Sequence, residues 1–251
     1  MPRKADRAYQ FVKAVDQHHL NMGKRLESEA LLISVSIEIL KAHLGKNWVR
    51  NVCRPQPREN DYFRASSHEP HERRIASMRF AQAAECIFNF RDDPEFEALT
   101  KRVKRVSHET AIAELQGLCL LRDAGLEATA KSPEGKGGHD YDFIVKHDAE
   151  VIACEVESKL ETSLLSERSV AGAIRRAYHQ LPENSAGMIM LCVPYSWGTR
   201  SELEQLFIAR AADAIRRKPN LRSISVFWQT LVETPDRRWR FGSATTIISP
   251  R

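Results

Sequence analysis

The sequence predicts a mixed α/β domain carried behind a helical front, and three observations predict it. Residues 1–106 place apolar residues at helical spacing and contain no alternating strand-like run. From Ser107 onward, short runs rich in β-branched residues alternate with amphipathic helical stretches. The chain has 251 residues, 42% apolar and 28% charged, which is enough for one ordinary core plus an appended segment and too apolar for a disordered chain. The expected organisation is therefore a helical N-terminal segment, 1–106, and an α/β domain, 107–251.

In the helical front, Asp6–His19 and Glu27–Leu44 read as helices. Leu31, Leu32, Val35, Ile39 and Leu40 form the apolar stripe of the second, and Gly45 ends it. Pro55 and Pro57 exclude a regular helix and open a loop that runs to Pro70. A third helix is expected over His71–Phe90. A fourth starts near Asp93-Pro94, with Asp as cap and Pro in the first turn, and ends in the basic run Lys101, Arg102, Lys104 and Arg105. That run suits a phosphate backbone and equally suits a solvated helix end, where cations complement the helix dipole.

In the α/β part, Ser107–Asp123 is an amphipathic helix with Ser107 at its cap and Ala124-Gly125 at its end. Leu126–Ala130 reads as a short strand and Pro133–Gly138 as a Gly-rich loop. Tyr141–Val145 and Val151–Glu157 read as two strands around a turn at His147-Asp148. Glu167–Leu181 is a helix stopped by Pro182, Gly187–Val193 an apolar buried strand, and Ser201–Arg217 a helix stopped by Pro219. Ile224–Trp228 and Trp239–Ile248 close the domain as strands.

Several function classes fall away. No run of eighteen apolar residues exists, so no membrane span is expected. The first residues lack the apolar core of a signal peptide. The five cysteines, Cys53, Cys86, Cys119, Cys154 and Cys192, are widely spaced and form no CxxC pair, which excludes a zinc ribbon and points to a reducing cytoplasm. His18, His19, His68 and His71 lack the HExxH helix of a zinc protease and read as solvated residues. The glycines at 135–138 do not make a phosphate-binding P-loop. A net charge of +5 is compatible with a nucleic-acid partner and with ordinary solubility.

The informative stretch runs from Gly138 to Lys159. Side chains alternate faces along a strand, so Glu155, Glu157 and Lys159 share one face while Cys154 and Val156 point to the other. Asp140 and Asp142 share a face at the start of the preceding strand. Carboxylates gathered in this way repel one another unless a cation sits between them. Magnesium, which takes one or two protein carboxylates together with water and substrate phosphate, is the economical choice, with manganese as a substitute. A neighbouring Lys could then stabilise phosphate charge or help deprotonate a water. The plain alternative is a turn at Asp140 and Asp142 and a charged, half-solvated strand face.

These residues resemble the PD-(D/E)xK nuclease superfamily, over about Ser107–Val193. The hallmark of that family is an Asp at a strand start followed by a (D/E)-x-K triplet on the next strand. Asp142 matches the Asp. Glu155-Val156-Glu157 and Glu157-Ser158-Lys159 both compete for the triplet: the first has the apolar middle residue but Glu in place of Lys, the second keeps Lys but has Ser in the middle. Glu155 is favoured as the metal ligand because Val156 gives the cleaner core register.

The resemblance implies a restriction-endonuclease-like fold, with a mixed central sheet flanked by helices. It implies a magnesium-dependent nuclease acting on nucleic acid, DNA ahead of RNA. Asp142 and Glu155 would hold the metal, and Glu114, on the preceding helix, would join them. Glu157 or Lys159 would position or activate water, and Gln180 would stand near the end of the following helix. Arg175, Arg176 and Lys136 would meet the phosphate backbone, with Lys131 and Arg168 adding to the basic surround. Trp197 and Tyr195 could stack on a base or pack in the core. Loss of Lys from the first triplet leaves open a nuclease-fold protein that binds nucleic acid or another protein without turnover. A second copy of the chain is a candidate partner.

Overall fold

The computed structural model describes residues 28–53, 62–63, 70–105, 108–131, 141–159, 163–233 and 239–250. The helix expected over Asp6–His19, the cap Ser107, Asp140 and Lys136 lie outside these residues. The chain divides into two compact units, 1–55 with 63–89 and 56–62 with 90–251.

The first unit is helical. Helix α1 (Ser28–Leu44) ends at Gly45, whose φ of +97° lies in the left-handed region that glycine adopts without strain. Helix α2 (Lys46–Cys53) follows at once and buries Val49 and Val52. Helix α3 (Pro70–Phe90) buries Met78, Ala83 and Ile87. Phe63 bridges these parts: its ring meets Trp48 edge-on at 5.9 Å and Phe80 at 4.7 Å.

The second unit is mixed α/β. A turn at 91–95, in which Asp93 Oδ1 accepts the Glu95 N–H, leads into helix α4 (Phe96–Arg105). The helix begins a little later than expected because Asp93 caps this turn. Helix α5 (His108–Asp123) follows, then β1 (Glu127–Ala130), β2 (Phe143–His147) and β3 (Glu150–Ser158). The turn between β2 and β3 places Asp148 at φ 52°, a conformation that Asp tolerates. Helix α6 (Glu167–Gln180) is fixed at its start by a capping box between Ser166 and Ser169. Strand β4 (Ala186–Cys192), the short helix α7 (Tyr195–Gly198), helix α8 (Glu202–Arg217), β5 (Leu221–Glu233) and β6 (Trp239–Ile248) complete the unit.

The six strands form one mixed sheet in sequence order, β1-β2-β3-β4-β5-β6. β1, β2 and β3 pair antiparallel, β3, β4 and β5 pair parallel, and β6 returns antiparallel on β5. Helices α6 and α8 make the two crossovers that parallel neighbours require. One sheet face, with Ala153, Ile189, Leu191, Ile224 and Val226, packs under Ala173, Ile174 and Ala177 of α6 and Leu203, Phe207 and Ala211 of α8. Val156 and Met190 have the opposite parity and face α5. The approach there is close: a Cβ on Gly117 would stand 2.9 Å from Val156 Cγ2 and 3.6 Å from Met190 Sδ. Helices thus flank the sheet on both faces, the coarse architecture expected. No described helix is long and apolar enough to cross a membrane.

Candidate functional site

α5 and β3 build the site between them. On α5, Thr110, Glu114 and Gly117 recur at helical spacing and form one stripe. Gly117 sits over Val156, and Thr110 and Ser158 share a hydroxyl–hydroxyl hydrogen bond of 3.2 Å. The stripe therefore runs along the second half of β3 and holds Glu114 at its middle. Glu114 is 5% exposed, Asp142 5% and Glu155 9%.

Asp142 stands immediately before β2 and is held on several sides. Its backbone N–H donates to the Cys154 carbonyl at 3.1 Å, and its Oδ2 accepts the Val156 N–H at 2.9 Å. Its Oδ1 accepts from Arg102 Nη2 at 2.9 Å. The same Arg102 forks onto Glu114, with Nε to Oε2 at 2.7 Å and Nη2 to Oε1 at 2.8 Å. Glu155 hydrogen-bonds to Asp142, and its Oε2 is buried without a partner among the described residues.

One guanidinium thus serves Glu114 and Asp142, with Glu155 beside them. Burial and mutual repulsion keep the three carboxyls from ionising together. Burial, then the Asp142 charge, pushes Glu155 up to about 10, so it carries a proton at neutral pH. Burial and Asp142 raise Glu114 to about 8 against the pull of Arg102. Burial also raises Asp142, while the Val156 N–H and Arg102 oppose the rise.

A second charged group lies at the end of β3. Arg176 on α6 donates from Nε to Glu157 Oε1 at 2.9 Å, and its Nη2 makes a second contact with the same oxygen. Lys159 continues the pairing with β4 by one residue, through its N–H to the Cys192 carbonyl at 2.9 Å. Burial and the neighbouring Arg176 lower its pKa, against the pull of Glu157.

The structure brings Asp142, Glu155 and Glu114 together, and Glu157 with Arg176 and Lys159. Gln180 is exposed in the last turn of α6, beside the Leu181 turn into β4, and takes no part in the hydrogen bonds of either group. Arg175 and Arg168 are exposed, and Lys131 lies 4.2 Å over the Tyr141 ring. Trp197 is 2% exposed and donates from Nε1 to the Ser163 carbonyl at 2.7 Å, so it packs in the core and cannot stack on a base. Sequence reasoning grouped Arg102 with a basic run and did not place it among the carboxyls.

Carboxylate oxygens are the donor set that a hard divalent cation takes, and the partnerless Glu155 Oε2 is the kind of atom it satisfies. The present arrangement, however, is built round a guanidinium. Among the described residues no three His, Cys, Asp or Glu side chains are arranged to hold a metal ion. No protein-family model, curated protein or solved structure matches the chain.

Proposed function

We propose that this centre performs metal-assisted hydrolysis of phosphodiester bonds in nucleic acid, DNA ahead of RNA, in the manner of the PD-(D/E)xK nucleases. The observation that carries the reading is the meeting of three buried carboxyls from three separate elements, Glu114 of α5, Asp142 before β2 and Glu155 of β3. The element order α5-β1-β2-β3-α6-β4 supports a restriction-endonuclease-like fold, with the acidic residues on the elements the family uses.

Asp142 and Glu155, joined by Glu114, would hold Mg²⁺ or Mn²⁺. Such an ion supplies neutralising charge for phosphate oxygens and a more acidic water. Lys159, partly desolvated just past the end of β3, would donate hydrogen bonds to a phosphate oxygen. Glu157 is a carboxylate beside it that would orient water or accept its proton, and the hydrogen bond from Arg176 fixes its side chain. The exposed Arg175 and Arg168 are available to the backbone of a polyanion.

Two observations favour a second reading, a protein of the same fold that binds nucleic acid or a protein without cleaving. Glu157 stands where the first triplet calls for Lys, and Arg102 already pairs with both Glu114 and Asp142. One experiment separates the readings. Supercoiled DNA, linear duplex, single-stranded DNA and RNA are incubated with the protein in Mg²⁺, Mn²⁺ or EDTA, beside D142N and E155Q. Metal-dependent cleavage lost in both variants supports the enzyme. Salt-sensitive binding without cleavage in any metal supports the binding protein.

A further inference from the structure

The guanidinium of Arg102 has the position and partners expected of a cation in this centre. It makes a fork with both oxygens of Glu114 and a further hydrogen bond to Asp142, at 2.7–2.9 Å. Its anchoring differs from that of its neighbours. Leu99 and Val103, on the same side of α4, are 7% and 1% exposed, whereas Lys101 and Lys104 face solvent. α4 is therefore packed down by its apolar residues, and the side chain of Arg102 reaches from it to the carboxyls. That side chain is still 32% exposed. It can leave by rotation about its own bonds, with α4 in place.

The carboxyls it would leave behind are 5–6% exposed, and the neighbouring Glu155 Oε2 has no partner among the described residues. For Glu114 and Asp142 to be ionised together a cation is needed there, because buried carboxylates without one are costly. A guanidinium and a hard divalent ion compete for the oxygens of Glu114 and Asp142, and two cations side by side repel each other.

We propose that Arg102 is a tethered counter-cation that latches the acidic centre, and that a divalent metal ion enters by exchanging with its guanidinium. The proposal rests on the metal-binding reading of the centre given above. The latch keeps the carboxyls paired and the fold intact in the absence of metal, and it weakens metal binding by the strength of the bonds it must give up. The exchange is one of ionic partners and makes or breaks no covalent bond.

The test is titration of the full chain with Mn²⁺, read by the loss of the free-ion electron paramagnetic resonance signal, a measurement independent of catalysis. Wild type is compared with R102Q, which keeps polarity and removes the cation, and with R102K, which keeps the charge and loses the fork. Circular dichroism checks the fold of each. The expected result is an affinity about tenfold or more higher in R102Q than in wild type, with R102K between them. Adding D142N to R102Q abolishes the gain. Guanidinium ion added to R102Q competes with Mn²⁺ and returns the affinity towards that of wild type.

If R102Q does not fold, R102K against wild type, each with and without D142N, decides the matter in the same direction. Wild type and the Arg102 variants binding Mn²⁺ equally, or the variants binding it more weakly, overturns the latch and leaves the metal site standing. No Mn²⁺ binding by any form at millimolar concentration overturns the latch and the metal reading together.

Discussion

Glu155→Gln separates the charge of the acidic centre from its shape. Glu155 is pushed from an ordinary 4.5 up to about 10, first by burial and then by the charge of Asp142. The folded chain therefore holds a proton over a range of pH in which the unfolded chain has released it. A group whose folded pKa is raised contributes stability that is fully present below its unfolded pKa and is lost as pH rises through the folded value. The cost is about 1.4 kcal/mol for each pH unit in that range, or about 3 kcal/mol between about pH 5.5 and about pH 8. Gln is nearly isosteric, stays neutral at every pH, and keeps an N–H to donate to Asp142. Urea denaturation in EDTA at a series of pH values measures the effect. Wild type should lose stability across the range, and E155Q should lose less by about that amount, so that the variant becomes the more stable protein on the alkaline side. Glu114, raised to about 8, adds a slope of the same sign to both proteins and does not affect the comparison. Parallel stability curves for the two would show that Glu155 is already ionised in the folded protein, and would refute the reasoning.

Gly117→Ala puts a methyl within 2.9 Å of Val156 Cγ2 and should cost about 1–3 kcal/mol in denaturation; combined with Val156→Ala it should cost less than the sum of the two single changes. Gly198→Ala drives its Cβ into the Trp228 indole ring, so a larger loss or failure to fold is expected, seen as loss of soluble, cooperatively melting protein. Trp197→Phe removes the hydrogen bond to the Ser163 carbonyl and should cost about 1–3 kcal/mol, with faster limited proteolysis in the segment between β3 and α6. Glu157→Gln breaks the pair with Arg176, a half-exposed arginine, and should change stability by less than about 1 kcal/mol, while under the enzyme reading it lowers cleavage.

The coarse fold was legible because periodicity reports burial. α6 and α8 carry a period of 3.6, β4 is an apolar run between turn signals, and the expected limits of α5, α6, α8, β3, β4 and β6 agree with the structure to within a residue or two. β5 is longer than expected, Leu221–Glu233 against Ile224–Trp228. Its added residues include Arg222, which pairs with Glu150, and the buried Ser223 and Gln229. Pairing with β4 and β6 pulls these polar residues into the sheet, which local pattern does not report. α2 was passed over because Gly45 reads as a stop, and nothing local says that a new helix begins at the next residue.

The alternation of Glu155 and Glu157 with Val156, and the place of Glu114 on a helical stripe, were readable in the same way. Arg102 was not, since it lies in a run with Lys101, Lys104 and Arg105 that looks uniformly basic. A signal existed: Arg102 flanks the face that carries Leu99 and Val103, whereas Lys101 and Lys104 lie on the far side of the helix. Gln180 was expected near the end of its helix, and it is the exposed last residue of α6 at the turn that feeds β4.

The hydrogen bond from the Val156 N–H to Asp142 Oδ2 has a consequence for how the site can be probed. β3 runs on past the start of β2 at Phe143, and at that splay a side chain, not a backbone carbonyl, receives the amide. Asp142 is thus a strand-end clamp as well as an acid. Replacing it with Ala would orphan a buried amide and fray the join between β2 and β3, so lost activity would be read as lost chemistry when part of it is lost architecture. Asn can accept the same amide with its carbonyl oxygen, while its Nδ2 turns a donor towards Arg102 and so gives up the charge and the hydrogen bond that the charge receives. The Asn variant, not the Ala variant, measures what the negative charge at this position does.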